Sequence, residues 1–179
     1  LFRSGIAFVR RDLPGEPSIA ARAAWALEAT RGQHTVLESD GVRIATVEHV
    51  LSVLGACGIT AAQIVLDGEE VPDAGDGSAA PLAALITAGG IAHTRGAAPA
   101  PFVLQEPFSF RDGDAVFHAT PSDTFSLECV FEHPHPHLGR QEFSCTLERD
   151  SYLADIAPAR TFATLEEVEA LRARRSEEH

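Results

Sequence analysis

The stretch Gly41 to Leu54, Gly-Val-Arg-Ile-Ala-Thr-Val-Glu-His-Val-Leu-Ser-Val-Leu, limits the possible folds of this chain more than any other. Val47, Val50, Leu51 and Leu54 fall at i, i+3, i+4 and i+7 and make one apolar stripe, so a helix starting here must lie against a core. Thr46 stands where an N-cap is expected, with a hydroxyl able to accept a first-turn N–H. Glu48 and His49 lie off the stripe, on the side of Ser52. The helix therefore presents a carboxylate beside an imidazole. Acid, base and metal chemistry all use such a pair, and so does a plain solvated helix face.

The elements on either side follow from local pattern. Residues 1–10 read as a strand, with Ile6 and Phe8 on one face and Ala7 and Val9 on the other. Residues 20–29 are rich in alanine and could pass for a helix on propensity alone. Gly58 suits a left-handed helix stop. Residues 63–66 read as a strand closed by the turn Asp67-Gly68. Ser78 and Pro81 fit the start of a helix over 79–88, with Leu82, Leu85 and Ile86 as its apolar side. No Gly-x-Ser-x-Gly elbow surrounds Ser78, so it reads as a cap rather than a nucleophile. Residues 93–101, His-Thr-Arg-Gly-Ala-Ala-Pro-Ala-Pro, form a linker without periodicity. Beyond it, residues 102–104, 108–110, 115–119, 125–131 and 141–147 read as strands of an antiparallel meander, with a hairpin turn at 111–114. Residues 149–156 suit a short helix. A last helix starts near Ala163 or Thr164, with Leu165, Val168 and Leu171 inward and Glu166, Glu167 and Glu169 near its N-terminus.

Composition narrows the function. A net charge of −12 over 179 residues argues against a nucleic-acid partner, which needs a basic surface. It also argues against docking on anionic lipid, but leaves room for a phosphate-bearing small ligand held by an arginine or two. Cys57, Cys129 and Cys145 are odd in number and far apart, as expected of free core thiols in a reducing compartment. No apolar run reaches the roughly 18 residues of a membrane span. With no leader-like segment at its start, the chain is expected to be cytoplasmic. His34 reads as a surface residue. The run His133-Pro134-His135-Pro136-His137 could place three imidazoles on one side if extended, but its prolines favour a polyproline-like loop with surface histidines.

The order of motifs carries a resemblance. Thr46-Val47-Glu48-His49 is followed by Gly58-Ile59, by Asp67-Gly68-Glu69-Glu70-Val71-Pro72, by Asp76-Gly77-Ser78-Ala79-Ala80-Pro81 and, much later, by Ile156-Ala157-Pro158-Ala159-Arg160-Thr161-Phe162. This series resembles the UDP-3-O-acyl-N-acetylglucosamine deacetylase family, the zinc hydrolases of lipid A biosynthesis, from about Gly5 to about Arg174. Two departures are local. Thr60-Ala61 stands where the family usually has Asp-Asn, and Asp73-Ala74-Gly75 intervenes before Asp76.

The resemblance implies an α+β fold of two similar α/β-sandwich domains, each a sheet packed on helices and both incomplete here. It also implies extended segments around 26–29 and 35–37, so strands are the expectation there despite the alanine-rich run at 20–29. The first domain would be residues 1–98 and the second would begin at 99–179. It implies an acylated UDP-sugar as the small-molecule substrate, with no stable membrane insertion and protein partners undefined. It also implies Zn2+ as cofactor with His49 as one metal ligand, Glu48 as catalytic base, Thr161 as a catalytic hydroxyl holding the oxyanion, and Phe162 as a substrate-binding residue. The family takes its other zinc ligands from a later His-Lys-x-x-Asp helix, and no such motif follows Arg160. The expectation is thus a family member cut at both ends, with the remaining zinc ligands beyond His179 and little turnover alone. Two other functions stay open: a diverged, non-catalytic protein that binds a sugar nucleotide or a partner, and an unrelated α+β domain whose Glu-His helix is structural.

Overall fold

A computed structural model describes residues 5–26, 34–72, 75–93, 100, 102–161, 163–165 and 168–169. The architecture is α+β. The chain divides into two compact units, Leu1–Ile91 with Leu153–His179, and Ala92–Tyr152.

The first unit is built on a three-stranded sheet in the order β2-β1-β5. Strand β1 (Gly5–Arg10) pairs antiparallel with β2 (Ser18–Ala20) and parallel with β5 (Ala61–Leu66). A parallel pair needs a crossover connection. Here it contains the hairpin of β3 (Val36–Ser39) and β4 (Val42–Ala45) and the helix α1 (Glu48–Ala56). Asp40 and Gly41 join β3 to β4, both at positive φ (53° and 76°). This two-residue turn matches the right-handed twist of the strands it joins. The Asp-Gly dipeptide is its sequence signal, and the strand Val42–Ala45 was not anticipated. Residues 20–29 do not form a helix where they are described. Ala23–Trp25 is one 3₁₀ turn, and Ala26 bridges Leu37.

Phe8, Ile19, Leu37, Ile44, Val47, Val50, Leu54, Leu66 and Val71 form one buried cluster. The stripe expected of α1 supplies Val47, Val50 and Leu54, with Leu51 partly buried against the cluster and Val53 buried as well. The helix closes as expected at Gly58 (φ 66°), whose N–H donates to the Gly55 carbonyl while Ile59 N–H returns to Leu54. Helix α2 (Ala80–Gly89) packs Leu82 and Ile86 on the cluster and buries Ala83. Leu85, expected on its apolar side, is instead exposed. At about 100° per residue Leu82, Ile86 and Ala83 share one arc of the helix, and Leu85 falls outside it. Ala80, Ala83, Ala84, Thr87 and Ala88 line a shallow apolar groove of about 440 Å³ with Leu153 and Ala157.

The second unit holds two hairpins: β6 (Phe108–Asp112) with β7 (Ala115–Ala119), and β8 (Ser126–His133) with β9 (Gly139–Thr146). Among the described residues these are separate two-stranded ladders rather than the single meander expected. Residues 102–104 form no strand. Cys129, expected in a core, is exposed on β8, while Cys57 and Cys145 are half-buried. The short helix expected over 149–156 is present as α3 (Arg149–Ser151) running into a π-helical turn over Tyr152–Ile156. Leu165, expected inward on the last helix, is exposed. Leu171, Glu166 and Glu167, and most of the linker at 93–101, lie outside the described residues.

Candidate active site

The element that carries Glu48 and His49 starts differently from the sequence expectation. Strand β4 ends at Ala45, Thr46 takes φ +60°, and α1 begins at Glu48 with Val47 as its N-cap and no side-chain cap bond. Thr46 is therefore not the N-cap. A left-handed backbone turns its hydroxyl away from the helix, and Thr46 Oγ1 donates to Glu70 Oε1 at 2.9 Å. A positive φ is uncommon for any residue with a Cβ and is a true outlier for a β-branched one.

The chain is gripped on both sides of this elbow. Ala45 N–H donates to the Glu69 carbonyl at 2.8 Å and Val71 N–H donates to the Ala45 carbonyl at 3.0 Å. On the other side Val47 is fully buried, and its N–H reaches the Thr35 carbonyl at 3.4 Å.

Glu48 and His49 are adjacent on the first turn of α1, and both are partly buried. Glu48 Oε2 accepts the Thr35 N–H at 3.0 Å. Among the described residues its Oε1 has no hydrogen-bond partner. The His49 carbonyl accepts Ser52 Oγ at 2.8 Å, a contact on the backbone that leaves the imidazole unconstrained by it.

Thr161 sits in a second structured place. Its N–H donates to the Gly77 carbonyl at 3.0 Å, and the residue is exposed. Gly77 has φ +74°, and a Cβ there would meet the Thr161 carbonyl at 3.8 Å. The preceding Asp76 Oδ1 accepts both Ser78 N–H (3.0 Å) and Ser78 Oγ (2.7 Å), while Ser78 Oγ also accepts Ala80 N–H (3.2 Å) at the start of α2. The Ser78 hydroxyl donates chiefly to Asp76, and this bond, with Ser78 N–H and the nearby Arg160 guanidinium (3.8 Å), holds the Asp76 carboxyl below its ordinary range. Ser78 is 1% exposed and fully engaged, which suits a cap and not a nucleophile.

The structure thus joins Asp76-Gly77-Ser78 to Arg160-Thr161, two motifs more than seventy residues apart in the sequence. It places Glu48 with His49. Among the described residues no hydrogen bond or ion pair links the Glu48-His49 pair to Thr161. Phe162 lies outside the described residues. Among the described residues no group of three or more His, Cys, Asp and Glu side chains converges as a metal site. The sequence reading missed the contacts that fix these groups: Thr35 N–H on Glu48, Glu70 on Thr46, and Gly77 on Thr161. Two are backbone groups and leave no residue-type signature. Glu70 had one, since it stands in the quoted run Asp67-Gly68-Glu69-Glu70-Val71-Pro72.

The histidine run forms a compact turn instead of a polyproline-like loop. Leu138 and Gly139 N–H both donate to the His135 carbonyl. His135 N–H donates to His133 Nδ1 at 3.0 Å, and His137 N–H to His135 Nδ1 at 3.3 Å. Among the described residues no membrane-length apolar helix is present.

Comparison with known proteins extends over almost the whole chain. Residues 2–178 match the family model described as LpxC, UDP-3-O-acyl N-acetylglycosamine deacetylase. The UDP-3-O-acyl-N-acetylglucosamine deacetylase of Myxococcus xanthus (strain DK1622) is 38% identical over 168 residues, covering 94% of this chain and 52% of the relative. That of Acidithiobacillus ferrooxidans (strain ATCC 53993 / BNL-5-31) is 37% identical over 172 residues, 94% of this chain and 55% of the relative. That of Bdellovibrio bacteriovorus (strain ATCC 15356 / DSM 50701 / NCIMB 9529 / HD100) is 35% identical over 173 residues, 96% of this chain and 55% of the relative. The chain spans about half the length of the curated relatives it matches.

Proposed function

We infer function from one premise: this chain belongs to the LpxC family of UDP-3-O-acyl N-acetylglycosamine deacetylases, whose model it matches over residues 2–178. The reading is that the protein takes part in hydrolysis of the N-acetyl group of an acylated UDP-N-acetylglucosamine. The observation that carries it is the Glu48-His49 pair, side by side on a first helical turn, with one carboxylate oxygen fixed by Thr35 N–H and the other without a hydrogen-bond partner among the described residues.

In this reading Glu48 Oε1 takes a proton from a water as that water's oxygen attacks the acetamide carbonyl. The new C–O bond makes a tetrahedral oxyanion. The Thr161 hydroxyl would donate to that oxyanion, with the residue's backbone N–H held by the Gly77 carbonyl. The proton held by Glu48 passes to the amide nitrogen, the C–N bond breaks, and acetate leaves the free 2-amino sugar. Phe162 would pack against the substrate.

Zinc dependence is part of the proposal, by family membership, with His49 as this chain's ligand. A bound zinc ion would acidify the attacking water and polarise the carbonyl. The described residues alone do not make a fitting site, since one imidazole is not a closed donor set and a catalytic zinc typically takes three protein ligands. The reading also includes little or no turnover by residues 1–179 alone, since no His-x-x-x-Asp pair follows Arg160 in them.

The test separates two roles. In the complete enzyme, His49→Ala loses bound zinc by metal analysis, while Glu48→Ala keeps zinc and loses most acetate release. Substrate binding without acetate release in the complete, unsubstituted protein would instead favour the non-catalytic sugar-nucleotide-binding alternative.

A further inference from the structure

We propose that Glu70 is a positioning residue for the Glu48-His49 pair, acting through Thr46; the proposal rests on the function proposed above. Thr46 is the joint between β4 and α1. The direction in which α1 leaves the sheet, and so where Glu48 and His49 point, depends on the left-handed backbone at this residue (φ +60°). Threonine resists that conformation because its branched Cβ crowds the carbonyl oxygen. Glycine would adopt it without strain. A residue kept in such a state must be held by its surroundings, and such strain tends to be stored at functional sites.

Here the holding groups are explicit. Residues 69–71 run alongside the elbow, with Ala45 bridged in parallel to Glu70 and two backbone bonds flanking it at 2.8 and 3.0 Å. Those bonds fix Ala45. Among the described residues the Thr46 side chain makes one hydrogen bond, from Oγ1 to Glu70 Oε1 at 2.9 Å, a charge-assisted bond. Two residues further on, Glu48 is tied by Thr35 N–H and Val47 by burial. The pair is therefore aimed by a strained joint clamped by a side-chain hydrogen bond.

A merely stabilising Glu70 and a positioning Glu70 make different predictions. If Glu70 acts by holding Thr46 left-handed, Thr46→Gly removes the need for it. The experiment is a cycle of Glu70→Ala, Glu70→Gln, Thr46→Gly and the double variant Thr46→Gly/Glu70→Ala. The first readout is NMR on the complete protein: the intraresidue HN–Hα NOE at position 46, which is strong at positive φ, and the His49 ring resonances. The second is acetate release by the complete enzyme.

Glu70→Ala is expected to weaken the NOE and shift the His49 resonances. It should also lower kcat on the order of tenfold to a hundredfold, the scale of a small misplacement, with KM changed less than about twofold. Glu70→Gln keeps an acceptor at the same place and should restore both readouts. In the Thr46→Gly background, Glu70→Ala should move neither. An unchanged NOE and unchanged His49 resonances in Glu70→Ala would overturn the proposal, as would an equal effect of Glu70→Ala in both backgrounds. If Glu70→Ala does not fold, the Thr46→Gly/Glu70→Ala variant decides: folding rescued by glycine supports the clamp, and no rescue overturns it. If the unsubstituted complete protein releases no acetate, the proposed function fails, and the NMR cycle still decides the role of Glu70.

Discussion

The two compact units carry similar strand patterns but reach different degrees of burial. In the first, β1, β3 and β4 place Phe8, Val36, Leu37 and Ile44 in a closed interior, each 3% exposed or less. In the second, β6 to β9 pair in full register. Yet Phe108, Phe110, Phe117, Val130 and Phe143 are each more than 40% exposed. Backbone pairing depends on local pattern and turn chemistry, whereas burial needs a second layer. Within the described residues only the first unit has a helix laid over its strands, and it is there that the Glu48-His49 pair is held.

Truncating a phenylalanine in each unit should break this comparison most sharply. Phe8→Ala removes a fully buried ring and should cost about 3–5 kcal/mol of stability. Phe110→Ala removes a ring that is 61% exposed and should stay within about 0.5 kcal/mol. Urea unfolding followed separately in each unit checks both.

Gly77 gives the next largest effect. Its φ of +74° is hostile to a side chain, while the Thr161 carbonyl at 3.8 Å leaves room for a methyl. The loss in Gly77→Ala is thus a backbone one, about 1–2 kcal/mol. Amide exchange at Thr161, whose N–H donates to Gly77, should quicken more than exchange at Val50.

Acid should distinguish the units next. Asp12, Asp67 and Asp76 belong to the first unit, and each carboxyl is held below its ordinary range, chiefly by side-chain bonds from Arg10, Arg11 and Ser78 respectively. A carboxyl that is more acidic when folded adds stability above its unfolded pKa, about 3.9. That stability is lost as pH falls through the folded value. The first unit should therefore weaken progressively below about pH 4, and Asp76→Asn should flatten part of that slope in a pH series of thermal unfolding.

The smallest effect belongs to a surface ion pair. Arg140 meets Glu132 at 3.1 Å and also contacts Glu142, with all three side chains more than half exposed. Arg140→Ala should change stability by no more than about 0.5 kcal/mol, and less in high salt.

The sequence revealed α1 because its stripe repeats at helical spacing, and its glycine stop because Gly58 is the residue that left-handed geometry favours. It revealed the strands of the second unit because alternation survives without a partner layer, but it could not show that they would form separate ladders, since pairing is non-local. The Thr46 cap was misplaced for a physical reason: hydroxyl residues before a helix cap it when their backbone is extended, and here residues 69–71 draw Thr46 into the left-handed region instead. Glu48 and His49 were legible as a pair because they are adjacent in the chain. The link of Thr161 to Gly77 was not, because it is made by backbone atoms of residues far apart.

Acetate release by the complete enzyme carrying Glu48→Gln, with bound zinc measured on the same sample, tests the central claim most directly. Glutamine preserves the shape and the Thr35 contact but cannot take a proton. The account predicts unchanged zinc and a fall in kcat of about a hundredfold or more. Full activity in Glu48→Gln with the same zinc content would contradict it and remove Glu48 from the chemistry.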